Sequence, residues 1–155
     1  MARAAVVTVS TRVSRGEAED ESGPALAQLC AAAGLEVVSE VVSDEREAIV
    51  TVLKRLADVE NCRFIFTTGG TGMTNDDVTP EATRDVIDRD APGFAETIRA
   101  ESRDHTPLGI LTRGISGIRG RTLIVNFPGS PRAVRQSWPV VEPTLKHAAD
   151  TLERS

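Results

Sequence analysis

Three glycines and an acidic pair sit in one short connection, Phe64-Ile65-Phe66-Thr67-Thr68-Gly69-Gly70-Thr71-Gly72-Met73-Thr74-Asn75-Asp76-Asp77-Val78-Thr79-Pro80-Glu81. Gly69, Gly70 and Gly72 strip side chains from a turn, which frees its φ angles and lets its N–H groups approach a ligand closely. Thr79 before Pro80 and Glu81 is a helix-opening signal, with Thr79 as the expected cap, and a helix N-terminus favours anions. Asp77 beside such a cradle is placed to hold a divalent cation or orient a reacting group. Glycines can also serve tight packing alone. Glycines, threonines and carboxylates crowded into one connection favour a ligand site over packing. The loop lacks the Lys of G-x-x-x-x-G-K-[ST] and the spacing of G-x-G-x-x-G, so these residues alone point to a phosphate or carboxylate ligand and no further.

The elements that must position this loop read as alternating strands and helices. Ala4 to Val9, Leu35 to Val42 and Arg63 to Thr67 are short apolar, β-branched runs that suit buried parallel strands. A helix is expected to open at Ser22-Gly23-Pro24, with Ser22 as its cap, and to end at Gly34. The amphipathic stretch Glu45 to Ala57, with Ile49, Val50, Leu53 and Leu56 inward, predicts another. This is the βαβαβ pattern of a doubly wound sheet with right-handed crossovers. Ser10 to Glu21 reads as a polar loop beyond a strand's carboxyl end, where open α/β sheets bind ligands. Asp44 stands at another strand end, where position alone favours a helix cap over a ligand contact.

Further along, Glu81 to Ile87 and Phe94 to Asp104 predict helices separated by a break over 88–93. Arg99, Arg103 and His105 lie on a charged face that reads as solvated, although it could reach an acidic ligand. Thr112 to Ile118 and Arg121 to Phe127 predict a hairpin around Arg119-Gly120, which makes the sheet mixed. Pro128-Gly129-Ser130-Pro131 forms a second rigid loop at the same end of the sheet, with Ser130 capping a helix that Trp138-Pro139 should interrupt. Trp138 is expected in the core.

A chain of 155 residues, 40% of them hydrophobic, is the length of one domain with a sizeable core. A net charge of −5 and a pI near 5.1 argue against a nucleic-acid partner. No apolar run reaches the length of a membrane span, and Met1-Ala2-Arg3 leads into a strand without a signal-peptide layout, so a soluble cytoplasmic protein is expected. Cys30 and Cys62 read as buried reduced thiols.

Thr68-Gly69-Gly70-Thr71-Gly72 with Asp77-Val78-Thr79-Pro80-Glu81, preceded by Asp20-Glu21-Ser22-Gly23-Pro24 and followed by Pro128-Gly129-Ser130-Pro131, resembles the Mog/MoaB family of molybdenum cofactor biosynthesis over essentially the whole chain. The resemblance implies an α/β three-layer sandwich, a largely parallel mixed sheet with helices on both faces, in a single molybdopterin-binding domain over residues 1–155. It also implies homotrimers or assemblies of trimers. The implied activity is molybdopterin adenylyltransferase: AMP passes from ATP to the terminal phosphate of molybdopterin with Mg²⁺, pyrophosphate leaves, and the product is handed to the molybdate-inserting enzyme. A MoaB-type member that binds the pterin without adenylylating it, or serves as a scaffold, is the alternative. By position, Asp44 and Asp77 match the family's two acidic positions tied to activity and are the implied Mg²⁺ ligands. Thr68, Gly69, Gly70, Thr71 and Gly72 match the phosphate loop. Ser10, Asp20 and Ser22 match segments shaping the pocket, and Pro128, Gly129 and Ser130 the loop closing it. Two positions depart from the pattern. Thr11 stands where many relatives carry an acidic or amide residue, and Asp76 where a basic residue often precedes the key Asp.

Overall fold

The computed structural model describes residues 2–155. Its elements in chain order are β1 (Arg3–Val9), α1 (Thr11–Ser14), α2 (Ser22–Ala32), β2 (Glu36–Val42), α3 (Arg46–Asp58), β3 (Phe64–Thr68), α4 (Thr79–Val86), β4 (Arg89–Asp90), α5 (Gly93–His105), β5 (Ser116–Arg119), β6 (Thr122–Phe127), α6 (Pro131–Val141) and α7 (Leu145–Glu153). The six strands form one mixed sheet in the order β2-β1-β3-β6-β5-β4. β2, β1, β3 and β6 are mutually parallel. At the other edge β5 pairs antiparallel with β6, and β4 antiparallel with β5.

The strand side chains divide by the two-residue period between the two faces. Ala4, Val6, Phe64, Phe66, Leu123, Val125 and Phe127 pack on one side against α2, α5, α6 and α7, and Ala5, Val7, Val9, Ile65 and Ile124 on the other against α3 and α4. The central strands β1, β3 and β6 are therefore buried on both faces almost throughout, whereas β2, at the edge, is partly exposed. The three-layer α/β sandwich follows. Phe66 is the hub of its face. Its ring lies 5.7 Å edge-on from both Phe127 and Trp138 and 5.6 Å from Phe64, so the expected core placement of Trp138 holds.

Four local features differ from the sequence reading. Residues 11–14 form a helical turn where a loop was expected, because the Ser10 hydroxyl accepts the Val13 N–H. The break over 88–93 contains the two-residue strand β4, too short to carry a periodic signal. β5 begins at Ser116 rather than Thr112, since Pro107–Leu111 winds into a 3-10 turn and 112–115 crosses to the glycine loop. α6 continues through Pro139, whose ring lies exposed, and the helix breaks only at Glu142–Thr144, around Pro143. No helix among the described residues is long and apolar enough to cross a membrane.

Cys30 and Cys62 are free and buried, and burial pushes their thiols up to about 12 and about 11. Both should therefore be protonated and screened at about pH 8. A thiol-specific alkylating reagent is expected to label neither cysteine in the native protein and both after denaturation in urea, with mass spectrometry as the readout.

Candidate functional site

The connection leaving β1 leads to β2 on one side, and the connection leaving β3 leads toward β6 on the other. Between their carboxyl ends lies the topological switch point, the place where an open α/β sheet parts its loops. A cleft of about 380 Å³ opens there. Of the residues predicted for the site, Ser10, Asp20, Ser22, Asp44, Thr68, Gly69, Gly70, Asp77 and Gly129 line it. Thr71, Gly72, Pro128 and Ser130 do not, and they serve behind the wall. The Thr71 hydroxyl meets that of Thr112 at 3.1 Å, the Pro128 carbonyl accepts the Thr68 hydroxyl at 2.8 Å, and Ser130 caps α6 through the Ala133 N–H.

The glycines are imposed by steric crowding. Gly69 and Gly70 have φ of +100° and +68°, and a methyl on either would overlap the Val9 carbonyl or the Thr79 hydroxyl. A Cβ on Gly72 would come within 2.7 Å of the Asp77 carboxylate. Thr79 is the first residue of α4 rather than its cap. Its hydroxyl instead donates to the Gly69 carbonyl at 2.9 Å, and its N–H to that of Gly70. Among the described residues no acceptor takes the N–H of Gly70, Thr71, Gly72 or Met73, and of these four Gly70 lines the cleft, where its amide is available to an anion.

The three cleft aspartates are held by neutral donors. Asp20, not Ser22, caps α2: it accepts the Gly23 N–H at 3.0 Å on one oxygen and the Thr8 hydroxyl at 2.8 Å on the other. Ser22 is the first helical residue, buried, and lines the cleft. Asp44 does not cap α3. It accepts the Thr11 N–H and hydroxyl on Oδ2, at 2.8 and 3.0 Å, and its own N–H donates to that hydroxyl at 2.9 Å. Asp77 accepts the Thr74 N–H and hydroxyl on Oδ2, at 3.0 and 2.8 Å. Asp76 points to solvent.

Sequence reasoning missed Arg113, which lies 41 positions from the loop it braces. Its guanidinium donates to the carbonyls of Gly72 and Asp77, both at 2.7 Å, and to the Glu81 carboxylate at 2.8 Å, while its N–H donates to the Thr71 carbonyl. Arg99 in turn holds the carbonyls of Thr112 and Gly114. No local pattern could announce either role. Arg12, also not singled out, is the one cation among the described residues lining the cleft, together with Glu19, Asp20, Glu21, Asp44 and Asp77.

This wall is net acidic, so a polyphosphate would be repelled unless a cation came with it. The donors are hard oxygens, the kind that suit Mg²⁺. Among the described residues no three His, Cys, Asp or Glu side chains gather into a metal cage, and Mg²⁺ is ordinarily shared between one or two carboxylates and substrate phosphates. Asp44 and Asp77, each with Oδ1 unpartnered among the described residues, fit that kind of shared ion.

Gly70→Ala should destabilise the fold by about 1–3 kcal/mol or more, since it forces a side chain into the left-handed region and into Thr79. Urea unfolding checks this. Hydrogen bonding by Arg113, opposed by burial and aided by its charge, holds the Glu81 carboxyl below its ordinary range. A depressed folded value contributes stability above the unfolded value of about 4.3 and loses it as pH falls through the folded value. Arg113→Met is therefore expected to lose less stability than the parent between about pH 5 and about pH 3. The difference should be small, because the pair is more than one-third exposed.

Residues 5–147 match the family model described as "Probable molybdopterin binding domain". A protein of Helicobacter pylori named molybdopterin adenylyltransferase is 38% identical over 150 residues, covering 95% of this chain and 85% of the relative. Among solved structures, the molybdopterin biosynthesis enzyme MoaB of Thermus thermophilus superposes with a TM-score of 0.93 at 43% identity, over 100% of this chain and 98% of the other. The molybdopterin biosynthesis Mog protein of Mycobacterium ulcerans gives 0.92 at 36% identity, over 98% and 99%. On these matches the chain belongs to the MoCF_biosynth family, with the Mog and MoaB proteins.

Proposed function

We propose that this chain is a molybdopterin adenylyltransferase of molybdenum cofactor biosynthesis, transferring AMP from Mg-ATP to the terminal phosphate of molybdopterin. One observation carries the reading. At the switch point, the unpartnered main-chain amide of Gly70 stands in one cleft with two carboxylates that each keep one oxygen free. The names of the relatives agree with it.

The reaction needs no protein nucleophile. A phosphate oxygen of the pterin attacks the α-phosphorus of ATP in line, the bond from that phosphorus to its bridging oxygen breaks, and pyrophosphate leaves with the electron pair. The attacking oxygen is already anionic, so no base need remove a proton. Mg²⁺, when bound, spreads the charge that grows on the triphosphate. Asp44 and Asp77 would hold that ion, and the Gly70 amide would donate to a phosphate oxygen. Ser10 and Ser22 line the same cleft, and Gly129 lets the second loop close over Gly69 without a side chain between them. We further propose that the chain acts as a single domain in the cytoplasm, as a homotrimer or assembly of trimers, handing its product to the molybdate-inserting enzyme.

Pyrophosphate release from Mg-ATP should depend on added molybdopterin and fall at least about 100-fold in Asp77→Asn, since metal-borne charge stabilisation is worth several kcal/mol. Pterin binding by the parent chain without any pyrophosphate would place it instead with binding-only or scaffold members of its family.

A further inference from the structure

Asp44 and Asp77 come from different connections, one after β2 and one after the glycine loop, yet each is held in the same way. In both, Oδ2 accepts two hydrogen bonds from one threonine, a main-chain N–H and the side-chain hydroxyl. In both, Oδ1 has no hydrogen-bond partner among the described residues. Asp20, the third aspartate of the cleft, is held differently: Thr8 takes one oxygen and the Gly23 N–H takes the other.

The χ2 torsion of an aspartate is broad and nearly two-fold, so an untethered carboxylate swings and exchanges its oxygens. Two donors from one rigid residue, converging on one oxygen, remove that freedom. The proton inventory is consistent with this. An ionised carboxylate only accepts, the Thr11 hydroxyl donates its single proton to Oδ2, and its lone pair takes the Asp44 N–H. Threonine also donates without bringing a charge, so the carboxylate stays fully anionic toward a cation. An arginine in the same place would partly neutralise it. Mg²⁺ requires near-ideal octahedral geometry, which a fixed oxygen meets better than a mobile one.

We propose that Thr11 and Thr74 are positioning residues, each pinning Oδ2 of a cleft aspartate so that Oδ1 of Asp44 and Oδ1 of Asp77 are the atoms offered to the metal–nucleotide. Asp20, with one hydrogen bond on each oxygen, joins β1 to α2. This rests on the reading of the cleft as a Mg-ATP site.

The test uses the intact chain and four variants, Thr11→Val, Thr11→Ser, Thr74→Val and Thr74→Ser. Two quantities are measured: the Mg²⁺ concentration for half-maximal ATP binding by calorimetry, and the thermal unfolding midpoint. Each valine variant should need about tenfold more Mg²⁺, the usual scale for losing a group that orients a metal ligand, and each serine variant should restore the parent value. Asp44→Asn is the companion that avoids a folding defect. Its amide oxygen can still accept from Thr11, so its unfolding midpoint should match the parent while the Mg²⁺ dependence of ATP binding disappears. Valine variants with the parent Mg²⁺ dependence, serine variants as impaired as valine ones, or an Asp44→Asn chain with normal Mg²⁺ dependence would each overturn the proposal. Pyrophosphate release by the parent chain is followed in parallel. Metal-dependent ATP binding without turnover refutes adenylyl transfer while the variants still decide the role of the threonines. A parent chain that shows no Mg²⁺-dependent ATP binding overturns both.

Discussion

The carboxyl ends of β1 and β3 approach so closely that nothing larger than hydrogen fits on the chain between them. Gly69 turns out of β3 against the Val9 carbonyl, and Gly129 of the second loop comes against Gly69 in turn, where a Cβ would lie 3.0 Å from the Gly69 Cα. Everything at the cleft depends on this crowding. It makes the floor from backbone instead of side chains, which leaves amide groups as its main chemical resource. It also brings the ends of β1, β2 and β3 into register, with Thr8 opposite Thr68 and Val9 opposite Val42, so Ser10, Asp44 and Gly69 emerge side by side.

The cleft aspartates differ from many carboxylates elsewhere in the molecule by the partner that holds them. Away from the cleft, Glu81, Asp85, Asp58 and Asp90 are each paired with an arginine. At the cleft, Asp20, Asp44 and Asp77 are held by threonine hydroxyls and main-chain N–H groups, and no ion pair engages them among the described residues. Arginine pairing lowers the field a carboxylate presents, whereas a neutral donor fixes its position and leaves its charge intact. A site meant to share a divalent cation with phosphates needs the second arrangement. Arg113 shows how the two are combined: it braces the loop through carbonyls and discharges itself on Glu81, outside the cleft.

The layers and the place of the site were readable because each rests on a local pattern. Short β-branched runs between amphipathic stretches can only alternate as strand and helix, and Gly69-Gly70 after Phe64 to Thr68 can only be a turn at a strand end. Roles that depend on distant residues were not readable. Thr79 and Asp44 both occupy positions where capping is the ordinary use, yet their side chains are taken by Gly69 and Thr11, which the fold brings in from ten and 33 residues away. Asp20 took the capping role assigned to Ser22, since an aspartate two residues earlier reaches the Gly23 N–H in the first turn. Arg113 gave no signal at all, and the edge strand β4 was too short to give one.

The most direct test of where the ligand binds is amide hydrogen exchange with and without Mg²⁺ and a non-hydrolysable ATP analogue. A second and larger cleft, about 650 Å³, lies at the opposite end of the sheet beside Arg3, Arg63 and Lys146, and offers a real competitor. The account predicts new protection at residues 10–13 and 69–73, with none around 61–64 or 145–150. Protection confined to the far cleft, with the glycine loop unchanged, would contradict it.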